Sequence, residues 1–366
     1  MAETQITETR TRDRAKWIGL GVAALVTVIA VAAGVYFARA LPLTAFEAEP
    51  RSIGPGYLAL SALIGFFGDG VAVGRAFGVF FLAMAVAATA LLGRRASGDW
   101  PVGACLALAW ILFPPVLAIQ VMDAPIGPAT ALIAVALAAL WPGPKPARGQ
   151  DGLGAFALMF AALMGPAGAW GTLVVTLYLL FLRPRLWTVL APALGAGLAI
   201  VAISLGAAGF SRDPDWIAPE RSAVQFGALL PFAMVWVGSG LAAIVSRSSV
   251  TKYRLGLRPL WVCRAAPFVF AGLIALAGYR PPTPGATYLS AGAAFFPLAL
   301  IGILPLVVWV RFAMPKTRSL PAWLAFPVIM YCCFWVVLGP ITRDRFPFGL
   351  IPSLGAPFTG NPIPPP

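Results

Sequence analysis

The sequence predicts an all-α membrane protein, a polytopic bundle of about 11 transmembrane helices with one re-entrant or interfacial helix at its outer face. The first observation is composition, with 60% hydrophobic residues, 11% charged residues and a mean hydropathy of +0.87. The second is charge placement, because the 26 Lys and Arg and the 13 Asp and Glu fall almost entirely between long apolar stretches. A charge at mid-membrane costs about 3 kcal/mol, so charges collect at the ends of spans.

The first apolar stretch, 17–38, follows Arg10, Arg12, Arg14 and Lys16. A basic N-terminal flank indicates a cytoplasmic start for this span. The stretch is longer than the ~7–15 residues of a signal-peptide core, so we expect an uncleaved helix. The later spans then alternate in direction across the bilayer. They are predicted at 71–92, 101–119, 124–141, 153–166, 168–182, 187–208, 226–245, 259–278, 290–310 and 321–339.

The stretch 54–67 is apolar but shorter than the ~20 residues that a spanning helix needs. If it crossed the membrane, every later basic loop would move to the outer side, so we predict a helix that enters only the outer face. The chain then divides into a cytoplasmic segment at 1–16, a transmembrane domain at 17–339 with a first external loop at 39–70, and an external tail at 340–366.

With this topology, 17 of the Lys and Arg lie inside and eight outside, and eight of the acids lie outside. Basic residues scattered beside spans are typical of the positive-inside pattern and not of a nucleic-acid surface, so no nucleic-acid partner is predicted. The chain has no histidine, which excludes a His general base and His-ligated haem. The four cysteines form no CxxC pair. We predict no cofactor and leave open a divalent cation at the outer face.

The outer-face charges are the candidate site. Glu47 and Glu49 lie in the first external loop, and Asp123 lies at the outer start of the span at 124–141. A carboxylate at the membrane surface can act as a general base, or it can hold a divalent cation that neutralises a phosphate. Arginine matches phosphate geometrically, and the external candidates for that role are Arg280, Arg343 and Arg345. The alternative is that all six are ordinary solvated loop charges.

Several stretches carry a family resemblance when they are taken in order. They are 45–50 (AFEAEP), 54–58 (GPGYL), 113–123 with its Pro-Pro pair and Asp123, 164–166 (MGP) and 343–349 (RDRFPFG). This arrangement resembles the GT-C class of membrane glycosyltransferases, which includes lipid A aminoarabinose transferase and protein O-mannosyltransferases. The resemblance covers roughly 17–185 and, more weakly, 340–356.

The resemblance implies an inverting glycosyltransferase of the bacterial inner membrane. Its expected partners are membrane lipids and a polyprenyl-phosphate-sugar donor, and it would pass the sugar to a lipid, glycan or protein acceptor at the outer face. By the same resemblance Glu47 or Glu49 is the catalytic base, Asp123 is a supporting acid, and Arg343 or Arg345 contacts the donor phosphate.

Two other functions remain open. The chain carries Met164 where the family has a lysine, which favours a non-catalytic subunit that binds or scaffolds within a membrane protein complex. A transporter is the third reading, although ionisable residues are nearly absent from the centres of the predicted spans.

Overall fold

The computed structural model describes residues 2–40, 54–68, 70–112, 116–117, 120–121, 125–142, 149–208, 238–277 and 295–313. Within these ranges all regular secondary structure is helical, without a strand. The helices are α1 (Ala2–Ala40), α2 (Pro55–Gly65), α3 (Val71–Ser97), α4 (Trp100–Leu112), α5 (Ile126–Leu140), α6 (Gln150–Met164), α7 (Pro166–Leu182), α8 (Trp187–Ala208), α9 (Ser249–Leu255), α10 (Leu257–Ala277) and α11 (Phe296–Ala313). Residues 238–245 are also helical.

Four of the described helical segments are long and apolar enough to cross a membrane. They are Trp17–Arg39, Val71–Ser97, Pro184–Ile203 and Phe296–Ala313. Large apolar side chains stand exposed on these and neighbouring helices, as Val28, Phe80 and Ile203 do at 62%, 60% and 65% exposure. Apolar faces of that size in a helical protein indicate that lipid surrounds the bundle.

The other apolar helices are shorter than a bilayer is thick. The helices α6 and α7 form a hairpin whose arms have 15 and 17 residues. At 1.5 Å per residue, α6 is about 22 Å long, whereas the hydrocarbon core is about 30 Å thick. The turn of the hairpin at Gly165 therefore does not reach the far surface if its other end lies at the membrane boundary.

Close helix packing depends on glycines and on one large buried aromatic side chain. A Cβ at Gly103 of α4 would lie 2.1 Å from the carbonyl oxygen of Ala90 in α3, and a Cβ at Gly78 would lie 2.6 Å from that of Val121. Small residues at such crossings let backbones approach in lipid. Trp110 is fully buried, donates its indole N–H to Thr89 Oγ1 at 2.9 Å, and packs edge-on against Phe296.

The described helices follow the predicted positions closely in most of the chain. The helix α8 coincides with the predicted span 187–208, and the stretch 54–67 contains an 11-residue helix, too short to cross a bilayer. The first helix begins at Ala2 instead of residue 17, so its polar N-terminal residues continue the same helix. The predicted span 321–339, part of 226–245 and the tail 340–366 lie outside the described residues.

Candidate functional site

One end of the bundle gathers arginines from helices that are distant in sequence. This cationic end consists of the C-terminal ends of α3, α7 and α11 with the N-terminal ends of α4 and α6. Its charged residues are Arg94, Arg95, Asp99, Asp151, Arg183 and Arg311. All of these arginines belong to loops or helix ends for which the sequence predicts a common, inner side.

Arg95 closes the C-terminal end of α5. Its Nη1 donates to the carbonyl oxygens of Ala138 and Ala139 at 2.6 and 2.7 Å, and its Nη2 donates to the side-chain oxygen of Gln150. The last carbonyls of a helix have no partner within the helix and carry partial negative charge. A guanidinium from α3 supplies that missing partner, and it ties α5 to the start of α6.

Two ion pairs complete the cationic end. Arg183 at the end of α7 holds Asp151 at the start of α6, with Nη1 to Oδ1 at 2.9 Å and Nη2 to Oδ2 at 3.1 Å. Arg311 at the end of α11 donates from Nε to Asp99 Oδ2 at 2.8 Å. Both pairs are partly exposed, so they act mainly by fixing which helix ends meet.

A cavity of about 590 Å³ lies beside the second ion pair, between α9 and the C-terminal end of α11. Its lining consists of Ser249, Val250, Tyr253, Arg254, Arg311 and Phe312. The Arg254 guanidinium carbon lies 4.0 Å from the centre of the Phe312 ring, a cation–π contact. The cavity thus presents two guanidinium groups and two hydroxyl-bearing side chains to a ligand.

The end of α6 that faces away from the cationic end is closed by α2. The backbone N–H of Gly54 donates to the carbonyl oxygen of Met164 at 2.9 Å. A Cβ at Gly54 would lie 2.2 Å from the Leu163 carbonyl oxygen, so only glycine fits. One turn later, Tyr57 packs with Ala129 and Met164 in a small buried cluster. The helix α2 is therefore docked on the turn of the α6–α7 hairpin.

A buried arginine lies near the start of α3, and a buried amide lies in the short described segment 120–121. Arg75 is 6% exposed and donates from Nη1 to the carbonyl oxygen of Ala38, at 3.0 Å. It lies 20 residues before Arg95 on one continuous helix, a separation of about 30 Å. Gln120 is fully buried, and neither of its side-chain polar atoms has a partner among the described residues. Its neighbour Val121 packs on Gly34 and Gly78.

The six residues predicted for the site all lie outside the described residues. They are Glu47, Glu49, Asp123, Arg280, Arg343 and Arg345. The described residues that flank the three acids are Ala40 and Gly54 on one segment and Val121 and Pro125 on the other. Within the described ranges, no three Cys, Asp or Glu side chains are close enough together to hold a metal ion.

Arg75, Asp99 and Gln150 are not among the site residues that the sequence predicts. Arg75 carried a usable signal, because a lone arginine within an apolar helix requires a polar partner. Asp99 and Gln150 carried none, since their contacts join residues more than 50 positions apart.

Comparison with known proteins gave no match. No family model matches the chain, and neither a curated protein nor a solved structure is significantly similar to it.

Proposed function

We propose that this chain is an integral membrane glycosyltransferase, which transfers a sugar from a polyprenyl-phosphate donor to a lipid, glycan or protein acceptor. In this proposal the chain has a GT-C-like arrangement of about 11 apolar helices, in which the short α6–α7 hairpin enters the bilayer without crossing it. It resides in the inner membrane of a bacterium, with a cytoplasmic N-terminus and its site at the outer face. The sequence resemblance supplies the reaction class, and the docking of α2 supplies the structural support.

The docking of Gly54 on Met164 is the observation that carries the proposal. The predicted topology requires 54–67 to stay at one face of the membrane, and α2 is a short helix held against the hairpin turn. Ala129, near the start of α5, packs in the same cluster. The segments with Glu47, Glu49 and Asp123 thus connect to described residues at the end of the bundle away from the cationic end.

The proposed reaction needs one base and one anion-stabilising group. An acceptor hydroxyl or amine attacks the anomeric carbon of the donor while the bond from that carbon to the phosphate oxygen breaks. Glu47 or Glu49 takes the proton of the acceptor, with Asp123 in support. Polyprenyl phosphate leaves with the electron pair of the broken bond, and Arg280, Arg343 or Arg345 stabilises its growing negative charge.

Removal of the carboxylates tests this assignment. We would reconstitute the full chain in liposomes with a panel of radiolabelled polyprenyl-phosphate sugars and a bacterial lipid extract, and measure polyprenyl phosphate release. Loss of a general base lowers turnover by about 10²–10⁴-fold, so the double variant Glu47→Gln/Glu49→Gln should be almost inactive. The matched control is Glu8→Gln, in the predicted cytoplasmic segment, which should keep full activity. Equal turnover in the double variant and the parent chain would overturn the assignment.

A non-catalytic binding or scaffolding subunit is the second candidate, and Met164 favours it. The Met164 side chain is 4% exposed and packs against Tyr57 and Ala129. The position at which the family has a lysine therefore contributes to the core and not to a phosphate contact. Absence of turnover with every donor, together with co-purification of a stable membrane complex that is unchanged in the double variant, would favour this candidate.

A further inference from the structure

We propose that the cavity between α9 and the C-terminal end of α11 binds the phosphate of an anionic phospholipid headgroup. This inference concerns the cationic end of the bundle and does not depend on the proposed glycosyltransferase activity. The cavity's volume of about 590 Å³ is sufficient for a headgroup, and two arginines line it from different helices.

Two contacts hold in place the guanidinium groups that line the cavity. Arg311 is fixed through its Nε by Asp99 at 2.8 Å. The Arg254 guanidinium lies over the Phe312 ring, and it carries five N–H donors in a planar fork. No carboxylate among the described residues forms an ion pair with Arg254. A planar fork of donors fits phosphate oxygens closely.

The charge around the cavity favours an anion. The segment 246–258 contains Arg247, Lys252, Arg254 and Arg258 and no acidic residue, for a charge of +4. Asp99 neutralises Arg311 but is remote in sequence from this segment. Basic clusters beside a membrane span attract anionic lipids by about 1 kcal/mol for each Lys or Arg near the surface.

Exposed apolar side chains on α10, the helix that follows α9 in the chain, indicate a lipid as the source of the phosphate. Leu257, Trp261 and Phe268 of α10 are 67%, 60% and 80% exposed. Their spacing of four and seven residues puts them on one face of the helix. Tyr253, which lines the cavity, is 86% exposed. An acyl chain can lie along this face while its headgroup enters the cavity, and Trp and Tyr typically mark the interfacial level.

Native mass spectrometry of the detergent-solubilised full chain tests the site. The chain would be titrated with phosphatidylglycerol or with phosphatidylcholine, whose choline group already neutralises its phosphate. We expect tighter binding of phosphatidylglycerol. Arg254→Gln should weaken that binding about tenfold, the effect of one lost hydrogen bond to a charged group. The affinity of Arg254→Lys for phosphatidylglycerol should lie between those of the parent chain and Arg254→Gln. The control is Arg258→Gln, which removes the same charge outside the cavity and should stay within about twofold of the parent chain.

A second variant and a second ligand keep the test decisive. Ser249→Ala removes one lining hydroxyl and should weaken phosphatidylglycerol binding in the same direction, even if Arg254→Gln fails to fold. Inorganic phosphate is followed separately by thermal unfolding. If phosphate stabilises the parent chain but not Arg254→Gln, while both lipids bind equally, the ligand is a soluble phosphate and the lipid assignment is overturned. Equal phosphatidylglycerol affinity for Arg254→Gln, Ser249→Ala and Arg258→Gln overturns the site altogether.

Discussion

Arg183 and Asp151 form a two-pronged ion pair that joins the first residue after α7 to the first turn of α6. The same arginine also donates to the carbonyl oxygen of Leu140, at 3.3 Å. One guanidinium therefore holds three helix ends together, those of α5, α6 and α7. The pair joins the two arms at the open end of the hairpin, and α2 covers the turn at the other end. Both ends of the hairpin are therefore held in place.

Breaking this pair should loosen the hairpin measurably. We expect Asp151→Asn to lower the free energy of unfolding by about 1–2 kcal/mol, less than a fully buried pair would lose, because both side chains are partly exposed. Arg183→Gln should cost as much or more, since it also loses the Leu140 contact. Thermal unfolding in detergent, arranged as a double-mutant cycle, measures the coupling. The control Arg185→Gln, at an exposed position, should change little. Additive single effects would contradict the pairing.

A methyl group at Gly54 should displace α2. The Cβ of Gly54→Ala would clash with the Leu163 carbonyl, and the shift would stretch the hydrogen bond to Met164. We expect a loss of about 1–3 kcal/mol and faster hydrogen exchange of the amides of 54–65. Gly65→Ala is the control, because a Cβ there meets nothing within 4 Å and alanine favours the helix. Equal exchange rates in the two variants would show that α2 is not docked as described.

Thr89 should matter because it accepts the indole N–H of Trp110. Thr89→Val keeps the shape but leaves a buried N–H without a partner, which costs about 1–3 kcal/mol. Thr27→Val is the control, because its hydroxyl bonds only the carbonyl one turn earlier on its own helix. Chemical or thermal unfolding followed by tryptophan fluorescence gives both values. A smaller loss for Thr89→Val than for Thr27→Val would argue against the indole bond.

Opposite membrane sides are expected for the first external loop and the cationic end. In a background with all four cysteines replaced, Ser52→Cys should react with a membrane-impermeant maleimide added to intact cells. Arg185→Cys should react only after the membrane is permeabilised, because the positive-inside rule keeps this basic loop in the cytoplasm. Labelling of both positions from the same side would show that 54–67 crosses the membrane and would remove the basis of the proposed outer-face site.

The helices could be predicted from sequence because lipid imposes strict rules on composition. The lengths of the apolar stretches predict α8 and most of α3, and the shortness of 54–67 predicts a helix that does not span the membrane. Glycines spaced by four, as at Gly70, Gly74 and Gly78, are typical of close helix packing in lipid, and Gly78 does pack on Val121. Gly70, just before α3, is glycine for a different reason. Its φ of +121° is one that other residues rarely adopt, whereas a Cβ there would meet nothing within 4 Å.

The contacts between helix ends could not be predicted in the same way. The positive-inside pattern gathers Arg95, Arg183 and Arg311 on one side, but it does not say that Arg95 reaches the α5 carbonyls or that Arg311 selects Asp99. Those choices depend on helix rotation and crossing, which apolar composition barely constrains when every face is hydrophobic. The candidate site consists of six charged residues that lie outside the described residues, so it stays a prediction.

The shortness of the α6–α7 hairpin has a consequence for its insertion into the membrane. A pair of helices about 22–25 Å long would leave the unpaired backbone groups of its turn inside the hydrocarbon if it left the translocon alone. The residues that cover this turn, 54–57, are synthesised about 110 positions earlier. The covering segment is therefore synthesised before the hairpin. The hairpin can enter the lipid with its turn packed against residues that are already in place.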